Sequence, residues 1–112
     1  MRSFPGALFI VLATLLPSAA YAQASIAGAV KDTSGAMLPG VTVEASSDAL
    51  IERSRSAVTD NAGQYKIVDL PPGVYAVVFT LSGFKTVRRE GIILQGTFVA
   101  QVNGDLQLGA LE

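Results

Sequence analysis

The side chains of this chain that could do chemistry are isolated carboxylates, and their spacing does not group them. They are Asp32, Glu44, Asp48, Glu52, Asp60 and Asp69, and the chain has no Cys and no His. A zinc hydrolase needs His and carboxylate ligands beside a general base, and nucleophilic catalysis by Ser or Cys needs a His partner. The sequence therefore predicts a protein that is not an enzyme, with no catalytic, cofactor-binding or metal-ligating residues.

Two of the carboxylates begin short segments of similar composition, residues 32–35 (DTSG) and 60–63 (DNAG). Their oxygen-bearing side chains raise the question of Ca²⁺, which takes about six to eight oxygen ligands. Each segment offers only one carboxylate. An Asp that accepts a hydrogen bond from the backbone two residues on, followed by a Gly at positive φ, makes a tight turn. We therefore interpret both segments as Asx-type turns rather than as a calcium site.

A small basic cluster is formed by Lys85, Arg88 and Arg89. Such a cluster could contact the phosphates of lipopolysaccharide or another acidic partner. Glu90 dilutes the positive charge, and the formal net charge of the whole chain is −1. We interpret the cluster as a solvated face, and the charge balance gives no reason to expect a nucleic acid partner.

A carbohydrate site usually needs an exposed aromatic platform, and the chain has no Trp. The pattern of the strands assigns four aromatic residues after the leader to the core and leaves only Phe98 unassigned. The four are Tyr65, Tyr75, Phe79 and Phe84.

The first 22 residues have the three parts of a secretory signal peptide. Arg2 supplies a positive start, residues 7–16 (ALFIVLATLL) are an unbroken apolar run, and residues 20–22 (AYA) form a small-x-small cleavage site. The run is about half the ~20 residues that a membrane-spanning helix needs, which argues against the alternative of an uncleaved anchor. We expect residues 1–22 to be removed, and residues 23–112 to be one exported domain without a lipid anchor.

The elements that must position any site are arranged around residues 65–84 (YKIVDLPPGVYAVVFTLSGF). Pro supplies no N–H to a β-ladder and Gly tolerates positive φ, so the PPG segment should reverse the chain between two strands. After the PPG segment, large apolar side chains recur at every second residue and define one face of a strand. The opposite face of the same strand is also mostly apolar, which is typical of a central strand. The strand before the PPG segment should bury Tyr65, Ile67 and Leu70. The strand after it should bury Tyr75, Val77, Phe79 and Leu81.

The sequence on either side of this stretch predicts further strands separated by turn residues. Gly28, at an inward position of the first strand of the mature chain, indicates a close backbone approach or a bend. Residues 53–59 are interpreted as a charged edge strand. Alternation continues unbroken from Phe98 to Leu108. It favours one long last strand with a bulge over a hairpin at Asn103-Gly104. About seven strands without a helical period predict an all-β fold, a seven-stranded antiparallel Greek-key β-sandwich.

The order of these pieces resembles the carboxypeptidase regulatory-like domain. The resemblance rests on SIAGAVKDTSGAMLPGVTVEA followed by TDNAGQYKIVDLPPGVYAVVFTLSGFKT, and it extends from Ala24 to about Leu108. It implies a transthyretin-like (prealbumin-like) sandwich of the carbohydrate-binding-like fold group. The matching residues are turn formers and core residues, so the resemblance implies a fold and no active site.

A signal peptide followed directly by this domain also resembles the beginning of TonB-dependent outer-membrane receptors of the Oar-like type, in which a plug and a β-barrel follow. We therefore predict a non-catalytic interaction module in the periplasm or outer membrane of a Gram-negative bacterium, or secreted. Its partner would be a protein or the plug and barrel of the same receptor, and membrane association would come only through that receptor. The alternative is a carbohydrate-binding module with a glycan partner.

Overall fold

The regular structure of the computed structural model, which describes residues 23–109, is entirely β. Eight strands follow one another, so the predicted all-β fold is confirmed, with one strand more than expected. Their bounds are β1 Ala24–Asp32, β2 Thr42–Ser46, β3 Ser54–Val58, β4 Gln64–Leu70, β5 Gly73–Thr80, β6 Val87–Leu94, β7 Val99–Gln101 and β8 Gly104–Leu106. The expected signal peptide, residues 1–22, lies outside the described residues.

The strands form two sheets that pack face to face as a sandwich. Sheet I has the order β4-β1-β7, with β8 also paired to β1, and sheet II has the order β3-β2-β5-β6. β5 is therefore the central strand that its sequence predicted, and β3 is an edge strand, as its charges indicated. Within residues 23–109 there is no helix long and apolar enough to cross a bilayer.

The core lies between the sheets and is built from every second side chain of each strand, because successive side chains of a strand point to opposite faces. Tyr75, Val77 and Phe79 are buried as predicted, whereas Leu81, which follows the last residue of β5, is only partly buried. The rings of Tyr65 and Phe79 bridge the two sheets edge to face, with centroids 5.9 Å apart. This contact joins the edge strand β4 of sheet I to the centre of sheet II.

The PPG segment carries the chain from sheet I to sheet II, so β4 and β5 belong to different sheets. Before it, Asp69 adopts φ 60° and the register between β1 and β4 shifts, which is the signature of a β-bulge. The bulge explains why Leu70 is buried like Ile67 despite its opposite parity. After it, the Tyr75 hydroxyl donates to the carbonyl of Pro71 at 2.7 Å, four residues upstream, an arrangement like a tyrosine corner.

Thr59 is the buried polar residue of the described chain, and it fixes the entry to β2. Its hydroxyl donates to the carbonyl of Leu38 at 2.7 Å and accepts the N–H of Val41 at 2.9 Å. Both backbone groups would otherwise be left without partners beside the core.

The last strand was predicted as one continuous strand, and this prediction is wrong in one detail. Val102 and Asn103 interrupt it and divide it into β7 and β8. Alternation nevertheless continues, because Val102 and Gly104 are both buried. The ladder is interrupted because the side-chain carbonyl of Asn103, rather than a backbone carbonyl, accepts the N–H of Ala29 at 2.9 Å.

The sheets are not wholly antiparallel, which corrects a second detail of the prediction. β7 and β8 both pair parallel to β1, with Ile26 opposite Ala100 and Lys31 opposite Asp105. Because the first and last strands point the same way, the chain enters at one end of the sandwich and leaves at the other. We call these the entry end and the exit end.

The entry end carries residue 23, the loop 47–53, the Pro71-Pro72 link and the turn 95–97, and the exit end carries the remaining turns and residues 107–109. The departing chain is held at the exit end. The N–H of Lys85 donates to the carbonyl of Gln107 at 2.8 Å, and that of Gly109 donates to the carbonyl of Gly83 at 2.9 Å.

Candidate interaction surface

The two Asp-containing turns have the geometry predicted for Asx turns. The Asp32 carboxylate accepts the N–H groups of Ser34 at 2.8 Å and Ala36 at 3.1 Å. The Asp60 carboxylate accepts those of Ala62 at 2.9 Å and Gln64 at 3.0 Å. The hydrogen bond from the Ser34 hydroxyl, with these backbone bonds, lowers the pKa of Asp32 from its usual value. Each carboxylate is thus already occupied in organising its own turn.

The other carboxylates are not gathered into a site. Asp48 forms an exposed ion pair with Arg53, and Glu52 forms one with Arg55 at 2.7 Å. The backbone of Glu52 and the Arg55 guanidinium lower the pKa of the Glu52 carboxyl. Within residues 23–109, no three residues of the types Asp, Glu, His or Cys are grouped so that they could hold a metal ion.

The basic cluster is exposed, with Lys85 just before β6 and both arginines on β6, an edge strand of sheet II. The Arg88 guanidinium pairs with the Glu90 carboxylate, which reduces the positive charge that the cluster presents. Arg89 lies in one cross-strand row with Ala45, Val77 and Arg55. The two edge strands of sheet II therefore each place an arginine in the same row.

Three of the sheet edges, those of β3, β4 and β6, are modified in ways that discourage pairing with another strand. At the edge formed by β3 and β4, the Arg55 guanidinium donates to the carbonyls of Val68 at 3.1 Å and Asp69 at 2.9 Å. β6 contains a register shift opposite residues 75–77, where Gly91 adopts φ 74°. Charged residues and bulges are the means by which proteins prevent edge-to-edge association. These features favour a partner that contacts the ends of the sandwich over one that pairs with an edge strand.

Exposed apolar side chains are concentrated at the entry end. Ile51 in the loop 47–53 is fully exposed, and Phe98 is 57% exposed. Of the nine large apolar side chains exposed in the described chain, six lie at this end and three at the exit end. The six come from both sheets, and Val74 and Ile93 among them are cross-strand neighbours on sheet II. Exposed apolar residues that lie together mark interaction sites more often than single ones do. The six are Ile51, Val68, Val74, Ile93, Phe98 and Val99.

A shallow groove of about 550 Å³ runs along β1 and the neighbouring strands. Its floor includes Ala27 and Ala29, and Gln64, Lys66 and Gln101 supply polar side chains. Phe98, the exposed aromatic residue that the sequence left unassigned, is not among the residues that line it. Tyr65 does line the groove, but its side chain is buried, so the groove offers hydrogen-bonding groups and no exposed aromatic ring.

The strands define an all-β sandwich module, and among its described residues no three of the types Asp, Glu, His or Cys are grouped to hold a metal ion. The chain belongs to the carboxypeptidase regulatory-like domain family, whose model matches residues 25–108. This agrees with the resemblance seen in the sequence.

Among curated proteins, the chain is similar to the TonB-dependent transporter Oar of Myxococcus xanthus. The two are 36% identical over 104 residues, which cover 91% of this chain and 10% of the transporter. The chain therefore spans about a tenth of the length of this relative, and the match supports a receptor-associated β domain.

Solved structures share the fold at low sequence identity. The chain superposes on 3-chlorocatechol 1,2-dioxygenase from Rhodococcus opacus 1CP with a TM-score of 0.63 and 11% identity, covering 80% of this chain and 61% of that one. It superposes on the Bacillus anthracis TIE protein with a TM-score of 0.63 and 16% identity, covering 78% and 17% respectively. These similarities concern the fold alone.

Proposed function

We propose that the chain is the N-terminal, non-catalytic interaction module of a TonB-dependent outer-membrane receptor. Residues 1–22 would direct export and be removed, and residues 23–112 would fold on the periplasmic side of the outer membrane. The plug and barrel of the same receptor would follow the exit end. The similarity to the Myxococcus transporter supports the receptor context, and the family match supports the nature of the module.

The observation that carries the interaction role is the separation of the two ends. The apolar side chains of the entry end, with Ile51 and Phe98 the most prominent, lie opposite residues 107–109, where the chain leaves the sandwich. A domain tethered at its exit end would hold these side chains away from the rest of the receptor. Exposed apolar surface that is held outwards suits a protein partner.

Deleting residues 24–108 from the full receptor tests this role. We expect the barrel to be inserted in the outer membrane at its usual level, because the module forms its own core, while partner engagement or uptake is impaired.

Single substitutions refine the test. Phe98→Asp at the entry end should reproduce the defect, and Val58→Asp, at a comparably exposed valine near the exit end, should not. A receptor that lacks residues 24–108 and still binds and transports normally would rule out the interaction role.

A carbohydrate-binding module is the second candidate, and the polar groove along β1 is the observation that favours it. Gln64, Lys66 and Gln101 could bond to sugar hydroxyls there. A titration of the ¹⁵N-labelled chain with a panel of glycans distinguishes the two candidates. Saturable shifts confined to this groove would favour the glycan, and shifts absent across the panel would favour the protein partner.

A further inference from the structure

The interruption of the last strand at Val102 and Asn103 remains bonded to both neighbouring strands of sheet I, β1 and β4. The N–H of Val102 donates to the carbonyl of Ala27 at 2.8 Å, and the carbonyl of Val102 accepts the hydroxyl of Tyr65. The side chain of Asn103 accepts the N–H of Ala29. We call Val102 and Asn103, with these three bonds, the exit-strand latch.

Gly28 provides the space into which the latch fits. A Cβ atom at this position would lie 2.0 Å from the carbonyl oxygen of Val102, so only glycine admits that carbonyl. The neighbouring inward positions of β1 are Ile26 and Val30, both fully buried. A slip of the last strand by two residues in either direction would drive the carbonyl into one of these branched side chains. The latch therefore fixes the register of the last strand.

The direction of the last strand determines how it would bear a load. β7 and β8 run from the entry end to the exit end beside β1. A pull on residues 107–109, with the entry end held by a partner, acts along these strands. All their hydrogen bonds to β1 then resist together in shear, whereas a pull that separates the strands from one end would break the pairs one at a time.

We propose that the exit-strand latch is a load-bearing element and that the domain transmits tension between a partner at the entry end and the chain beyond residue 109. The proposal goes beyond the interaction role and rests on it only for the source of the load. The resistance to unfolding under that load comes from the hydrogen bonds of this chain, above all from those of Val102 and Asn103.

Single-molecule pulling on the full chain tests the proposal, and the absence of native cysteines makes attachment specific. One handle follows Glu112, and the other is attached through Ile51→Cys at the entry end or through Thr33→Cys at the exit end. The first pair loads the last strand in shear and the second peels it from β1, beginning at Asp32 and Leu106. We expect a severalfold higher unfolding force in shear, and equal forces in the two geometries would refute the load-bearing role.

Two tyrosines allow a matched test of the latch itself. Tyr65→Phe removes the hydroxyl that donates to Val102, and Tyr75→Phe removes the one that donates to Pro71, which is not one of the three bonds of the latch. Under constant load in shear, Tyr65→Phe should raise the unfolding rate roughly 5- to 30-fold, as expected for the loss of one buried hydrogen bond. Tyr75→Phe should leave this rate unchanged.

Asn103→Ala provides a second variant in case Tyr65→Phe does not fold. The Asn103 side chain is exposed, so water can replace it as the acceptor for Ala29, and the fold should persist. It should raise the unfolding rate under load in the same way. If the rate under load is unchanged by the foldable latch variants, or changes equally in Tyr75→Phe, the latch does not carry the load. Both outcomes are independent of whether a receptor lacking the domain still functions.

Discussion

Replacing Phe79 by Ala should lower the free energy of unfolding by about 3–5 kcal/mol, a large part of the ~5–15 kcal/mol that stabilises a typical domain. Phe79 is fully buried in the central strand of sheet II, and its ring meets Tyr65 of sheet I. A Cβ atom added at Gly104 would lie 3.1 Å from the same ring, so β8 also rests closely on it. Removing the ring leaves a cavity at the point where three strands of the two sheets meet.

Urea unfolding of the variant measures this loss. Phe98→Ala is the matched control, because it deletes the same group from a side chain that is 57% exposed. We expect the control to change the free energy of unfolding by less than about 1 kcal/mol. A loss of similar size in both variants would show that Phe79 does not occupy the centre of the core.

Gly28→Ala should destabilise the domain by about 3 kcal/mol or more, although it adds one methyl group. The new Cβ would lie 2.0 Å from the Val102 carbonyl oxygen, which belongs to the backbone and cannot rotate away. The last strand must therefore move outwards, and the buried hydroxyl of Tyr65 then loses its acceptor. The overlap of the new methyl group with the Val102 carbonyl and the loss of the Tyr65 hydrogen bond both lower the free energy of unfolding.

Gly109→Ala is the control for this substitution, because its added Cβ would be 3.6 Å from the nearest atom, an ordinary contact. Urea unfolding should give a loss below about 0.5 kcal/mol for the control. Amide exchange in residues 99–106 should accelerate in Gly28→Ala. A stable Gly28→Ala variant with unchanged exchange would contradict the close approach of β1 and the last strand.

Much of this fold follows from local chemistry that the sequence displays. Asp and Gly at fixed offsets define the turns at 32–35 and 60–63, and the period of two identifies which side chains of β5 are buried. Gly28, a glycine at an inward position of a strand, indicates either a close backbone approach or a bend. The structure shows the close approach and identifies the neighbour as the backbone of Val102.

The features that the sequence did not predict depend on contacts between distant residues. The parallel pairing of β1 with β7 and β8 has no local signal, since a strand has the same alternation in either direction. The burial of Leu70 was expected, but the bulge that achieves it, with a positive φ at Asp69, was not. The concentration of exposed apolar residues at the entry end became visible only when five separate segments were placed together. Ile51 did not indicate that surface, because an apolar pair in a short polar loop equally predicts a small buried plug; Leu50 is buried in this way and Ile51 is fully exposed.

Fractionation of the native cells, with an antibody against this domain, tests the proposed receptor context most directly. We expect the antibody to detect an outer-membrane polypeptide about ten times the length of this chain, in line with its 10% coverage of the Myxococcus transporter. N-terminal sequencing of that polypeptide should begin at Gln23. Detection only of a short, free protein in the medium, or of a species that keeps residues 1–22 in the inner membrane, would contradict the account.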